Sequence, residues 1–371
     1  MKMIFVIHSL NQVGGAETVL VNFANYFSSQ LKYDVSIVLL SNAKISFQVE
    51  KKIKFYKLSP KTFKNSSIAK LKLIEYQINH IRSVIRGNRP DILISFMSAV
   101  NVLASFAGWL EKVPVILSEH TSYNKTITAG RSKANGLVWK ILRRVSYPLA
   151  SKVFILTEED KEYYSYLKEV EVIPNPLILS NHHGDLKRED IILGVGRLHP
   201  VKGFDMLIEA FSLISNQKWK LFIAGEGDEH NYLKGVAKKF KIEDRVTFLG
   251  FVEDMEYCYK KASIYVLSSL REGFPGGLCE AMGYGCASIA FNCPTGPKEI
   301  IDNNQNGILV EAKNINLLSQ QIQILIDKEE QRLQLSKEGK KITAWLDIES
   351  ISKRWITLIN ESIYHYQEDK K

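Results

Sequence analysis

Short runs that are apolar on every residue return along nearly the whole chain, each followed by a stretch of mixed polarity. In the first half they are "MIFVIHS", "VSIVLLS", "DILISF", "VPVILS" and "KVFILT"; in the second, "IILGVGR", "KLFIAG", "RVTFLG", "SIYVLSS", "ASIAFN" and "GILV". A strand that is apolar on both faces must be covered on both faces, which is the situation of a parallel sheet with helices above and below. Strands alternating with amphipathic stretches therefore predict an α/β chain built as open, doubly wound sheets. The rhythm breaks in "IPNPLILSNHHGDLKRED" (173–190), rich in Pro, Asn, His and Gly. With 371 residues, more than one ordinary core can hold, this break predicts two Rossmann-like domains. Their expected limits are 1–180 and 186–345, with a helix over 346–371 able to pack against either.

The net charge of +9 is unevenly spread. Residues 1–152 carry 22 Lys and Arg against 7 Asp and Glu, a balance of +15, and the remainder carries 27 against 33, a balance of −6. The first half therefore suits an anionic partner: nucleic acid, a membrane surface or a phosphorylated substrate. A solvated basic surface with no partner is the plain alternative. The four cysteines (Cys258, Cys279, Cys286, Cys293) form no CxxC pair and have no histidine to complete a zinc pattern, so they read as buried, reduced thiols of a cytosolic protein. No secretory signal and no apolar run long enough to span a bilayer is visible, and "MSAVNVLASFAGWL" (97–110) reads as a core helix.

Doubly wound sheets bind their ligands beyond the C-terminal ends of the strands, so residues just after each strand are the site candidates. After the first strand, Gly14 and Gly15 open a helix whose unpaired N–H groups suit a phosphate or sugar oxygen; taken alone the pair is equally a tight turn. The spacing is not GxGxxG, so a nicotinamide dinucleotide finds no support. After "VPVILS" stand Glu119 and His120, a histidine whose position allows it to meet a polar ligand, although lone histidines are more often structural. After "IILGVG" come Arg197 and Lys202, a forked and a mobile cation that suit a diphosphate, or a basic surface loop.

The densest stretch is "REGFPGGLCEAMGYG" (271–285), read as the turn between the strand "ASIYVLSSL" and a short helix. Glu272 precedes the run Gly273, Phe274, Pro275, Gly276, Gly277, and Leu278 and Glu280 follow it. The bare backbone there can take a phosphate at a helix N-terminus. Glu280 can accept the vicinal hydroxyls of a ribose, and Glu272 the hydroxyls of whatever the diphosphate carries.

"EGFPGGLCE" resembles the E-x7-E signature of retaining glycosyltransferases of family 4, and "GRLHPVKGFDMLIEAF" resembles their Arg/Lys segment. "FIAGEGDE", "VTFLGFV" and "VGGAE" fall where that family has its glycine-bearing loops. "ISFMSAVNVLAS", "ILSEHT" and "WKILRRVSYPLASKV" are similar to bacterial enzymes that extend lipid-linked or surface polysaccharides, N-acetylgalactosamine transferases among them. The resemblance implies the GT-B fold, two Rossmann-like domains facing a central cleft. It implies a hexose or N-acetylhexosamine moved with retention from a nucleotide sugar, UDP rather than GDP, to a hydroxyl of a polyprenyl-diphosphate-linked glycan.

By the same resemblance Arg197 and Lys202 neutralise the leaving diphosphate, Glu280 holds the ribose and Glu272 the donor sugar. Gly15 approaches from the opposite domain, His120 contacts the sugar near its reacting carbon, and Leu249 and Gly250 lie beside the base. Gly276 departs from the family pattern, which has a bulkier residue at this point of the donor-sugar pocket. Retention is implied to run by front-side attack, the leaving diphosphate taking the acceptor's proton, and not through a carboxylate nucleophile. No D-x-D triplet occurs, so Arg197, Lys202 and the helix terminus are expected to act without a metal or other cofactor. The acceptor and an anionic inner membrane face would be met by the basic half, where "KANGLVWKILRR" (133–144) mixes Lys133, Lys140, Arg143 and Arg144 with Val138, Trp139 and Leu142. In that stretch the alternative is an apolar face in the core with the charges outside. Two rivals are a sugar-nucleotide epimerase of the same architecture and a non-enzymatic polyanion binder; no nucleic-acid recognition motif supports the latter.

Overall fold

In "KMIFVI", β1 (Lys2–Ile7), successive side chains point to opposite faces, and both faces are buried. Met3, Phe5 and Ile7 join a core with Phe23, Phe27 and Trp355, while Ile4 and Val6 join a second core with Ile81 and Leu103. The computed structural model describes residues 1–12, 14–62, 67–120 and 133–368. It divides into two units, residues 1–176 with 348–371 and residues 177–347. Val13 and Thr121 of the segments quoted above lie outside the described residues, as does the side chain of Lys133.

The first unit holds a seven-stranded sheet in the order β3-β2-β1-β4-β5-β6-β7. Its elements are α1 (Gly15–Ser29), β2 (Asp34–Leu39), β3 (Lys54–Lys57), α2 (Ser67–Asn88), β4 (Ile92–Phe96), α3 (Ser98–Glu111), β5 (Val115–Ser118), α4 (Lys133–Ser146), β6 (Lys152–Ile155) and β7 (Val170–Val172). Every strand pair is parallel, with Phe5 opposite Ile37 on one side and Ile94 on the other. The pattern reading finds the five inner strands and misses the edge strands β3 and β7, which are short and only partly buried.

The second unit holds a six-stranded parallel sheet in the order β10-β9-β8-β11-β12-β13. Its strands are β8 (Glu189–Val195), β9 (Lys220–Ala224), β10 (Val246–Gly250), β11 (Ala262–Leu267), β12 (Ala287–Asn292) and β13 (Ile308–Glu311). Two of its helices bear on the site: α5 (Phe204–Ser212) after β8 and α6 (Gly276–Gly283) after β11. Strand β11, read from sequence over "ASIYVLSSL", stops at Leu267, so Glu272 leaves a loop and not the strand itself. Cys279, Cys286 and Cys293 are buried, whereas Cys258 is only half-buried, and all four are free thiols.

The last helix, α7 (Ile348–Glu368), belongs to the first unit. Trp355 fixes it there: its ring centroid lies 4.5 Å from that of Phe23 and 4.8 Å from that of Phe154. Among the described residues no helix is long and apolar enough to cross a membrane.

Candidate active site

Both strand orders reverse direction once, between β1 and β4 in the first unit and between β8 and β11 in the second. At such a reversal the loops leaving neighbouring strands diverge and open a crevice at their C-terminal ends. In the second unit the two loops are the ones carrying Arg197 with Lys202 and Glu272 with Gly277.

The structure brings Lys202 and Glu272 together: Lys202 Nζ donates to Glu272 Oε1 at 2.7 Å, both side chains being largely shielded. Backbone contacts set that distance. Ser268 Oγ donates to the carbonyl of Lys202 at 2.8 Å, and the Leu270 N–H donates to the carbonyl of Val201 at 2.8 Å. Gly203 permits this approach; it lies at φ 60°, and a Cβ there would stand 2.3 Å from the Ser268 carbonyl oxygen. Arg197 is exposed on the same loop, its backbone braced by the β9 loop through Leu198 N–H to the Glu226 carbonyl at 2.8 Å. Gly250, at φ 68°, closes β10 and accepts from the Gly225 N–H at 2.8 Å, so the loops after β8, β9 and β10 are tied in series. Leu249 and Gly250 are half-buried beside them.

Helix α6 begins at Gly276 with Pro275 as its cap and no side chain bonded to its first turn. The Gly276 N–H turns back to the carbonyl of Phe274. Beneath the turn lie two buried tyrosines. A Cβ on Gly277 would stand 3.0 Å from Tyr265 Oη and 3.5 Å from Tyr259 Oη, so glycine keeps the backbone down on them. Tyr259 Oη donates to Glu280 Oε2 at 2.9 Å, and Tyr265 Oη is buried with no hydrogen-bond partner among the described residues. Burial pushes the Glu280 carboxyl above its ordinary pKa, partly offset by the hydrogen bond from Tyr259. A Cβ on Gly276 would meet nothing within 4 Å, so the departure from the family pattern leaves open space and no packing defect.

Sequence reasoning missed Thr295. Its Oγ1 donates to the carbonyl of Glu272 from the loop after β12, while Gly296 at φ 98° lies against Pro275. The signal was "NCPTGPKE", a turn-rich stretch after a strand that the positional filter should have kept. Tyr259 and Tyr265 carried no signal, since each is an ordinary core aromatic in its own element.

In the first unit the corresponding edge carries Gly14, Gly15 and His120. Gly14 caps α1 in extended conformation with no side-chain cap, and a Cβ on Gly15 would meet nothing within 4 Å, leaving bare backbone open. His120 follows β5; its ring stacks on Phe96 at 4.8 Å and its Nε2 shares a hydrogen bond with Ser118 Oγ at 2.9 Å. Burial lowers its pKa to about 3, offset only in part by Asn175, so the imidazole is neutral in neutral solution. Its Nδ1 is buried without a well-aligned hydrogen bond.

Glu119, next to His120, is structural. It is 2% exposed and accepts from Ser98 Oγ at 2.5 Å, from Asn101 Nδ2 at 3.1 Å and from Tyr147 Oη. Arg143 of α4 pairs with it at 3.5 Å, itself 4% exposed. Within the stretch 133–144 Arg143 departs from both sequence readings by lying in the core, while Lys140, Arg144 and Val138 are exposed and Trp139 and Leu142 are partly buried.

The family model described as Glycosyltransferase Family 4 matches residues 13–181, and the one described as Glycosyl transferases group 1 matches residues 179–342. A Haemophilus influenzae protein named an uncharacterized glycosyltransferase is 32% identical over 95% of this chain and 98% of its own. The chain belongs to glycosyltransferase family 4. A Campylobacter jejuni α-1,4-N-acetyl-D-galactosaminyltransferase, named for the acceptor GalNAc-α-(1→4)-GalNAc-α-(1→3)-diNAcBac-PP-undecaprenol, is 28% identical to this glycosyltransferase over 97% of it and 99% of the relative. Anabaena HepE, solved in complex with UDP, superposes with a TM-score of 0.78 at 18% identity, covering 97% of this chain and all of its own (100%). The two doubly wound sheets of the glycosyltransferase are those of the GT-B fold.

Proposed function

We propose that the glycosyltransferase moves a hexose or N-acetylhexosamine, with retention, from a UDP-sugar to a hydroxyl of a polyprenyl-diphosphate-linked glycan. The observation that carries the donor side is the set of groups at the β8/β11 reversal. Lys202 and Glu272 are held 2.7 Å apart beside an uncapped helix N-terminus, with Arg197 exposed on the same loop. A lysine has three N–H donors, and the Glu272 contact uses one, which leaves two for phosphate oxygens. Arg197 supplies a fork of donors with no protein partner among the described residues, and the Gly277 N–H at the start of α6 adds a further donor. Such a set is strongest where charge grows on a leaving diphosphate, and these residues would do what a metal ion does in other transferases.

In this reading Glu280, fixed by Tyr259, accepts the ribose hydroxyls, and Glu272 orients the sugar while its other oxygen keeps Lys202 in position. Front-side attack then needs no carboxylate nucleophile: the acceptor oxygen bonds to the anomeric carbon as the diphosphate departs and takes the acceptor's proton. The acceptor side is supported by the lipid-linked acceptor for which the Campylobacter relative is named and by the +15 balance of residues 1–152, which suits a lipid diphosphate at an anionic membrane face.

Calorimetry with UDP and GDP, each with and without EDTA, tests the donor site. Micromolar UDP binding indifferent to EDTA is expected, with Glu272→Ala abolishing sugar transfer while UDP still binds. Binding of neither nucleotide would sink the assignment of Arg197, Lys202 and Glu280.

A further inference from the structure

At the other reversal, where β1 and β4 part in the first unit, the structure holds a cavity of about 870 Å³ that the donor chemistry leaves unused. One end is formed by Ile7, His8 and Ser9 at the end of β1, together with Glu17 in the first turn of α1. From there its walls are apolar: Ala99, Val100 and Leu103 of α3, Leu71, Leu73 and Ile74 of α2, and Val138, Trp139 and Leu142 of α4. Side chains at its open side are unusually exposed for their type, Leu71 at 67% and Val138 at 53%. The cavity has the size and lining of a small-molecule site. It was not left by poor packing, for α4 is fastened on its far side by the buried Arg143–Glu119 pair.

We propose that this cavity takes the first isoprene units of the acceptor's lipid chain. An aliphatic chain is the occupant the walls call for, since a peptide or sugar would leave buried polar groups unpaired against leucines. Charge supplies the second argument: every wall of the cavity belongs to residues 1–152, which carry the balance of +15. That combination fits a chain ending in phosphate. Position supplies the third, because the polar end of the cavity opens on the strand ends that also present Gly14 and Gly15. The inference rests on the lipid-linked acceptor proposed above and names where its lipid is held.

The test uses the full chain saturated with UDP, so that the donor's diphosphate groups are occupied. It is titrated by calorimetry with geranyl, farnesyl and geranylgeranyl monophosphate below their micelle concentrations. Affinity is expected to rise at least about tenfold with each added isoprene unit, as burial of methylenes predicts. Ala99→Trp, which fills the cavity from a half-buried position, should flatten the series, and Val138→Glu, at an exposed position, should weaken the longest ligand about tenfold. An unfolding transition of the first unit that matches the unaltered protein's in scanning calorimetry reports that both variants are folded there. A flat series in the unaltered protein overturns the proposal. So does binding seen only on phosphatidylglycerol vesicles and unaffected by Ala99→Trp, which would mean adsorption to a surface. A dimer that Ala99→Trp abolishes overturns it too, since a second copy would then be the occupant. If the series holds but no UDP-sugar is turned over on any lipid-linked acceptor, the acceptor reading fails and the chain site stands. If turnover is robust and Ala99→Trp leaves it and the series unchanged, the chain site alone fails.

Discussion

Gly203 shows how much of the site depends on single backbone positions. At φ 60° an alanine there carries the left-handed cost, about 1–2 kcal/mol, before its Cβ meets the Ser268 carbonyl 2.3 Å away. Gly203→Ala should therefore cost about 2 kcal/mol or more in denaturant midpoint, and should part Lys202 from Glu272 as the loops separate. Glu280→Ala should raise the UDP dissociation constant by about 10- to 100-fold, the worth of hydrogen bonds to a charged group, without removing turnover at saturating donor. His120 gives a pH signature. Its folded pKa of about 3 lies below the ordinary 6.5 because burial disfavours the cation. Above pH 6.5 both folded and unfolded chains hold it neutral and stability is undiminished. As pH falls from 6.5 toward 3 the unfolded chain takes up a proton the folded one refuses, so stability declines by up to about 1.4 kcal/mol per pH unit. His120→Gln should remove that component from the urea midpoints measured between pH 6.5 and 4. At this scale the sequence spoke through residue type: Arg197 and Glu272 could be picked out because each lies in the loop that follows a strand, and Glu280 because it falls in the helix such a loop opens. Tyr265 could not, since a core hydroxyl's role depends on what faces it from another element.

Helix α4 illustrates the same limit for elements. Its composition, basic and apolar together, suggests either cations outside and a greasy core side, or a face lying flat on a bilayer. The structure does neither with Arg143, whose guanidinium lies 5.1 Å from the ring centre of Tyr147 and 4.9 Å from that of Tyr164 and pairs with Glu119. A guanidinium can be buried only where a carboxylate and aromatic faces are assembled around it, and Glu119, Tyr147 and Tyr164 come from three different elements. No local pattern could announce that assembly. Arg143→Ala would leave Glu119 charged and unpaired in the interior, and is expected to cost about 3–5 kcal/mol in thermal or urea unfolding. Pairing it with Glu119→Gln should recover part of the loss, because the stranded charge is then gone; equal destabilisation by the single and double variants would contradict this account. The inner strands, by contrast, were fully legible, since burial on both faces forces an unbroken apolar run.

Two doubly wound sheets were readable from the alternation of strands and helices, but the strand order within each was not, because right-handed crossovers restrict that order without fixing it. What the pattern could not fix was the allegiance of α7, whose apolar and aromatic residues suit either unit. Trp355 decides it through Phe23 and Phe154, rings from opposite ends of the first unit's sequence. Removing residues 348–371 should therefore expose the first unit's core and lower its unfolding temperature, while the second unit, residues 177–347, keeps UDP binding. Differential scanning calorimetry with and without UDP separates the two. An unchanged first transition would show that α7 is dispensable.

The place of α7 also dictates an order of events during synthesis. The second unit is one continuous stretch of chain and has all of its strands once residue 347 has left the ribosome. The first unit does not, for although its seven strands are made before the second unit, the Trp355 side chain that fills its core emerges only after it. The early half must wait, with Phe23 and Phe154 uncovered, while the later half is made and closes. An apolar surface held open for that long is a natural client for a chaperone, and slowing translation between residues 177 and 347 should lengthen its exposure.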